Sequence, residues 1–141
     1  MSLTVTPHLN FQGEARAALA FYHGVFGGQQ ALVTYADMGN VQDPRDAEHV
    51  IWGQVAGADG VRIMACDLAT GTPYQAGENA CFMSLRGKDG AEVARRWDGL
   101  AEGATVLREL APAPWTPLYG MLKDRFGVTW VVDVEPAARA A

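Results

Sequence analysis

The words NFQG at 10–13 and SLRG at 84–87 lie 74 residues apart, with Gly13 aligned on Gly87. Just beyond them, Tyr22, Gly24, Val25 and Gly28 align with Trp97, Gly99, Leu100 and Gly103 at a spacing of 75. In both places a short alternating run ends in glycine, an amphipathic stretch follows, and three strand-like runs come after it. The pattern occupies 5–67 and again 81–134. This is an internal repeat of a βαβββ unit, and it predicts an α+β fold of two βαβββ modules set side by side around a cleft.

Each segment supports that reading locally. Leu3, Val5, Leu9 and Phe11 alternate with Thr4, Thr6, His8 and Asn10, a period of two that predicts a half-buried strand over 3–11. Ala15, Ala18, Leu19, Tyr22, Val25 and Phe26 recur at helical spacing over 14–26, and Gly27 and Gly28 end the helix. Strands follow near 29–36, 49–56 and 61–67, the last two joined by an Asp59-Gly60 turn. The acidic stretch 37–48 reads as an exposed, mobile loop. A linker at 68–79 leads to a strand at 80–86. Asp89 and Glu92 then form a capping-box signature for a helix that carries Val93, Trp97 and Leu100 and ends at Gly103. Strands near 104–110, 117–123 and 128–134 complete a single domain over 1–135, with module one at 3–67, module two at 80–134 and a frayed tail at 136–141.

Composition narrows the functional classes. The chain has 141 residues, 49% hydrophobic and 19% charged, with a net charge of −5. That suits one globular domain with a sizeable core. Arg95 and Arg96 form the only basic pair, so neither nucleic acid nor an anionic membrane is an expected partner. No apolar run reaches the roughly 18 residues that span a bilayer. The N-terminus MSLTVTPHLNF lacks a basic region followed by an apolar core, which predicts a cytoplasmic protein. Cys66 and Cys81 show no metal-knuckle spacing and read as reduced thiols. No nucleophile–base pairing and no phosphate-cradling loop is evident.

TPHLNFQGEARAALAFYHGVFGG (6–28), TYADM (34–38), EHVIWGQV (48–55), VRIMACDL (61–68) and YGMLKDRFGVTWVVDV (119–134) together resemble the PhnB-like branch of the vicinal oxygen chelate superfamily. Glyoxalase and bleomycin-resistance proteins belong to the same superfamily. The resemblance covers nearly the whole chain. It implies modules whose strands curl into a half-open barrel, helices outside, a small-molecule ligand inside, and a homodimer. Some sequences of this branch carry a legacy label as ubiquinone-pathway methyltransferases. No glycine-rich strand-to-helix turn suited to a methyl donor occurs here.

The same resemblance locates four positions that hold a divalent metal in superfamily enzymes, one on the first and one on the last strand of each module. The first-strand position falls near His8, and the repeat places its counterpart at Phe82. Counting four residues on from Gly60 and Gly127 places the last-strand positions at Met64 and Val131. An imidazole, a phenyl ring, a thioether and an isopropyl group do not make a divalent-ion site. No metal and no other cofactor is therefore expected. A divalent metal would need His8 together with His49, Glu48 or Asp67 as unconventional ligands.

Strand parity puts His8, Asn10, Arg62, Met64, Phe82, Ser84, Arg86 and Val131 on the ligand side, with Trp52, Trp115 and Tyr119 as further walls. Arg62 and Arg86 are candidates for an anionic ligand group or for pairing with Asp133. Trp97 and Trp130 belong between helix and sheet. The leading expectation is a cytosolic PhnB-like small-molecule-binding protein without the superfamily's usual metal, with turnover left open. Its alternatives are a metal-dependent lyase or dioxygenase of the glyoxalase type, and an antibiotic-binding protein acting by sequestration.

Overall fold

The computed structural model describes residues 2–136. The expected frayed tail falls, apart from Pro136, outside the described residues. The chain divides into two compact units, Met1–Ala76 and Gly77–Ala141. Among the described residues no helix is long and apolar enough to cross a membrane.

Unit one contains β1 (His8–Phe11), α1 (Ala15–Phe26), β2 (Gln29–Thr34), β3 (Val50–Ala56) and β4 (Arg62–Asp67). Its sheet runs β1-β4-β3-β2, with β1 parallel to β4 and the other pairs antiparallel. Unit two repeats this with β5 (Met83–Gly87), α2 (Gly90–Ala101), β6 (Thr105–Ala113), β7 (Thr116–Lys123) and β8 (Thr129–Val134). The order is β5-β8-β7-β6, with β5 parallel to β8. The chain is thus α+β, two βαβββ modules.

The apolar stripe of each helix covers one face of its own sheet. Tyr22, Leu19, Ala18 and Ala15 of α1 are fully buried, as are Val55, Ile63 and Ala65 of the sheet. Val93, Trp97 and Leu100 of α2 face Leu122, Trp130, Val132 and Val134 in the same way. One glycine per sheet makes room for the helix. A Cβ on Gly53 would collide with Leu19 Cδ1, and one on Gly120 would lie 3.0 Å from the Trp97 ring. These glycines are 67 residues apart, as are the turn glycines Gly60 and Gly127. The later strands therefore repeat at a shorter interval than the opening words. The long connection 35–49 of unit one, replaced by Pro114 and Trp115 in unit two, accounts for the difference.

That connection is more ordered than the acidic composition suggests. Tyr35 and Ala36 donate to His49 and Ala47 carbonyls at 3.0 Å, which carries the β2–β3 hairpin onward. Thr34 and Asp37 exchange side-chain-to-backbone bonds at 3.0 Å. A 3-10 turn at Pro44–Asp46 is capped by Asp43, whose carboxyl Arg45 pulls down to about 2. Asp46 is buried and accepts from the Thr70 amide and hydroxyl at 2.9 and 2.7 Å. Most of 37–48 is exposed, as expected, and Asp46 is its one buried residue.

Two expected strands are shorter than their alternation. β1 begins at His8 rather than residue 3: β4 begins at Arg62, opposite Thr6 in this register, so residues 3–5 have no neighbour on β4, and Pro7 lacks an N–H although its carbonyl accepts from the Met64 amide at 3.0 Å. Leu3 and Val5 are 97% and 99% exposed. β5 likewise begins at Met83.

The two helices start differently. The Asp89 side chain caps α2 locally by accepting from the Ala91 amide at 3.0 Å, while Glu92 reaches Arg96 at 3.5 Å. Glu14, by contrast, makes no side-chain cap on α1. The cap comes from β4: Asp67 Oδ1 accepts from the Gly13 and Ala15 amides at 2.7 and 3.0 Å, and Oδ2 accepts from Val50 at 3.0 Å. Asp67 is 1% exposed.

Asp67→Ala would leave buried amides unsatisfied, each costing about 1–3 kcal/mol. We expect a loss of roughly 3 kcal/mol or more in denaturant unfolding. Asp46 supplies a pH-dependent prediction. The Thr70 hydroxyl, then its amide, hold the Asp46 carboxyl below the usual carboxylate range. The stabilisation is present above the ordinary value of about 3.9 and is lost as pH falls through the depressed one. Asp46→Asn should therefore flatten the acid limb of the stability–pH curve, followed by thermal melts between pH 2 and pH 6.

Candidate functional site

With α1 and α2 each covering one face of its own sheet, the opposite face of each sheet is left without a helix. In unit one, β1 and β4 pair in register, so His8 lies beside Met64 and Asn10 beside Cys66. Gln54 lies on the other side of Met64. Trp52 is on the same face of β3, beside Val33 of β2. The Cys66 thiol donates to Asn10 Oδ1 at 3.2 Å. Burial, with the nearby Asp67 carboxylate second, pushes that thiol above its ordinary pKa. Arg62 opens β4 on this face, and its exposed guanidinium has no partner among the described residues.

The unconventional ligand candidates do not converge on His8. Asp67 pairs with Phe11 at the far end of β1, three residues from His8, or about 10 Å along a strand. It also lies on the helix-facing side, with its carboxylate committed to backbone amides. His49 Nδ1 is 3.5 Å from Asp46 Oδ1, and its ring lies against the Gly13 turn. Glu48 is exposed, and its carbonyl accepts from Arg16. Among the described residues no group of three His, Cys, Asp or Glu side chains is placed to hold a metal.

In unit two the open face runs Ser84–Val131–Met121 and Arg86–Asp133–Tyr119, each set in direct strand register. Val131 therefore pairs with Ser84, not Phe82, and the first-strand family position in this module is Ser84. The repeat misled by two residues for a local reason. Gly13 lies beyond the end of β1, whereas Gly87 is the last residue of β5, so aligning the glycines shifts the strands. Phe82 precedes β5 and is 44% exposed.

Arg86 grips Asp133 through two bonds, Nε to Oδ1 at 2.9 Å and Nη2 to Oδ2 at 2.8 Å. Asp133 is buried and raises the Arg86 pKa, first through these bonds and then through its charge. Beside this pair, the Arg108 guanidinium sits 5.2 Å from the Tyr119 ring centre, a cation–π distance. Trp115 meets Tyr119 edge-on at 5.4 Å and is 49% exposed. Trp97 and Trp130 are buried between α2 and its sheet. Asp124 Oδ1 accepts from the Phe126 and Val128 amides, and Oδ2 accepts from Trp130 Nε1 at 2.9 Å. That closes the DRFGVTW turn and sets the indole, a structural reason for the spacing of the motif.

Neither unit offers a divalent ion adequate donors at the two family positions. Unit one supplies an imidazole and a thioether; unit two supplies a hydroxyl and an isopropyl group. A methyl donor's carboxylate or a phosphate finds no free helix N-terminus at α1, because Asp67 already occupies the Gly13 and Ala15 amides.

Comparison with known proteins agrees with this architecture. A family model described as 3-demethylubiquinone-9 3-methyltransferase matches residues 3–133. The chain belongs to that family. The crystal structure of protein PA1353 from Pseudomonas aeruginosa is similar at 34% identity and a TM-score of 0.81, over 95% of this chain and 98% of that one. A Bacillus cereus PhnB protein, carrying the name 3-demethylubiquinone-9 3-methyltransferase, is 22% identical with a TM-score of 0.75, over 94% of this chain and 100% of its own. A glyoxalase family protein of Bacillus cereus shares the fold at 14% identity and a TM-score of 0.64, over 97% and 96% of the two chains.

The two thiols should differ in reactivity. Cys81 is exposed, whereas Cys66 is half-buried with a raised pKa. With a disulfide reagent at pH 8, Cys81 should label about tenfold faster or more. Cys81→Ser should leave only the slow phase, read by mass spectrometry of timed samples.

Proposed function

We propose that the chain is a PhnB-like small-molecule-binding protein that does not use the divalent metal of its superfamily. The observation that carries this reading is the donor set at the family positions, His8 with Met64 in one unit and Ser84 with Val131 in the other. Oxygen chelation by a Lewis-acidic ion requires several hard or borderline donors in a fixed geometry. Three of the four residues here are a thioether, a hydroxyl and a hydrocarbon. A glyoxalase-type lyase or dioxygenase would need metal ligands that Met64, Ser84 and Val131 do not supply.

The open face of unit two supplies the complementary argument for binding. Trp115 and Tyr119 present flat apolar surface, and Arg108 adds a cation beside them. Ligand sites combine such apolar walls with a few oriented polar groups. Arg86 is the oriented group, since Asp133 fixes its guanidinium while leaving about half of the side chain exposed. A planar ligand with an acceptor group suits this set. Sequestration of an antibiotic would draw on the same aromatic surface, so the identity of the ligand separates the two roles. The family's homodimer belongs to this reading too, and exposed Val106 and Leu107 supply apolar surface for it.

Elemental analysis of gently purified protein should find only substoichiometric zinc, nickel, iron and manganese; one equivalent of any of them would end the reading. Thermal-shift screening of metabolites and antibiotics should identify a stabilising ligand, with about 2.7 kcal/mol expected at a hundredfold excess over Kd. Trp115→Ala should weaken that ligand about tenfold while unfolding free energy changes by about 0.5 kcal/mol or less. Phe82→Ala, at an equally exposed position, should keep the fold as well. A collapse of stability in either variant would show a core role instead.

A further inference from the structure

The open face of unit one contains a donor set that the reading above leaves unused. His8 and Met64 are direct partners on β1 and β4, and Cys66 is the next residue on the Met64 side of the sheet, paired with Asn10. Neighbouring strands are about 4.8 Å apart, and alternate residues along one strand about 6.6 Å. A flexible methionine can therefore reach a point shared with the side chains of both neighbours. The Cys66 thiol already leans toward β1, since it donates to Asn10 Oδ1 at 3.2 Å. None of the three side chains is committed to the core: His8 is exposed, and Met64 and Cys66 are half-buried. The Asp67 carboxylate is committed to backbone amides on the other side of the sheet, so the oxygen donors on this face are the neutral amides of Asn10 and Gln54, which bind soft ions weakly.

We propose that this face holds one thiophilic d10 cation, of the copper(I) or silver(I) type, between Cys66 Sγ, Met64 Sδ and a ring nitrogen of His8. The inference goes beyond the binding function proposed above, and the reason is the softness of the donors. A thioether contributes little to zinc, nickel or iron but binds copper(I) well, and thiolate and imidazole complete the two- or three-coordinate geometry such ions accept. On binding, the thiol proton passes to solvent and the sulfur becomes the anionic ligand, so affinity rises with pH. Asn10 Oδ1 accepts a hydrogen bond from the thiol in the free protein and loses it when the metal replaces the proton.

The test is an anaerobic titration of the Cys81→Ser protein, which removes the exposed thiol, with copper(I) buffered by bicinchoninate. One equivalent should be withdrawn from the indicator. In the same background, Cys66→Ser should lower affinity roughly a hundredfold and Met64→Leu about tenfold. Met64→Leu keeps the side-chain volume, and denaturant midpoints verify that both variants fold. The proposal is overturned if the Cys81→Ser protein withdraws no copper(I), or if either variant binds it as tightly as that parent. A parallel zinc titration keeps the two readings apart, because stoichiometric zinc would count against the metal-free function and not against the copper(I) result.

Discussion

The carboxylate of Asp67 holds unit one together. It is a buried charge that accepts from Gly13, Ala15 and Val50, so a single side chain joins the β1–α1 turn, the first helical turn and the start of β3 to the end of β4. Tyr35 adds a hydroxyl bond to the Asp67 carbonyl at 2.7 Å. A buried carboxylate is tolerated only when such donors replace its water, and a helix N-terminus is a favourable place for it. The same occupancy has a functional consequence. The amides that would greet a phosphate or a cofactor carboxylate in other α/β folds are already used by the protein itself.

Helix placement divides each sheet into a structural and a chemical face. Gly53 and Gly120 let α1 and α2 settle close to the strands, and the buried Val, Ile, Leu and Trp residues follow from that closeness. Period-two alternation then sends every neighbouring residue to the other side, where imidazole, thiol, thioether, guanidinium and exposed aromatic groups accumulate. The family architecture is thus present, with His8 beside Met64 in one unit and Ser84 beside Val131 in the other.

Much of this could be read from residue order because its causes are local. The Asp59-Gly60 turn, the Asp89 cap, the glycine stop of α1 and the alternation around Met64 and Val131 each depend on a few neighbouring residues, and the structure contains all of them. Other features were hidden because they depend on distant partners. Asp67 is an ordinary strand-end acid until Gly13, over fifty residues earlier, is folded against it. Asp46 looks like one more charge in an acidic loop until Thr70 caps it. The Arg86–Asp133 pair was one of two options open to Arg86, and only strand register selects it.

Residue order by itself determined the α+β class, the doubling of the βαβββ unit and the family. Those follow from periodicity, turn chemistry and side-chain type, which do not depend on long-range contact. Tertiary structure alone decided that Ser84 rather than Phe82 partners Val131, that Asp67 serves a helix instead of a metal, and that His8 lies directly beside Met64. Register is the physical reason, because a parallel strand pair is set by contacts across a long crossover and a two-residue offset in the turn that follows the first strand is invisible until the strands meet.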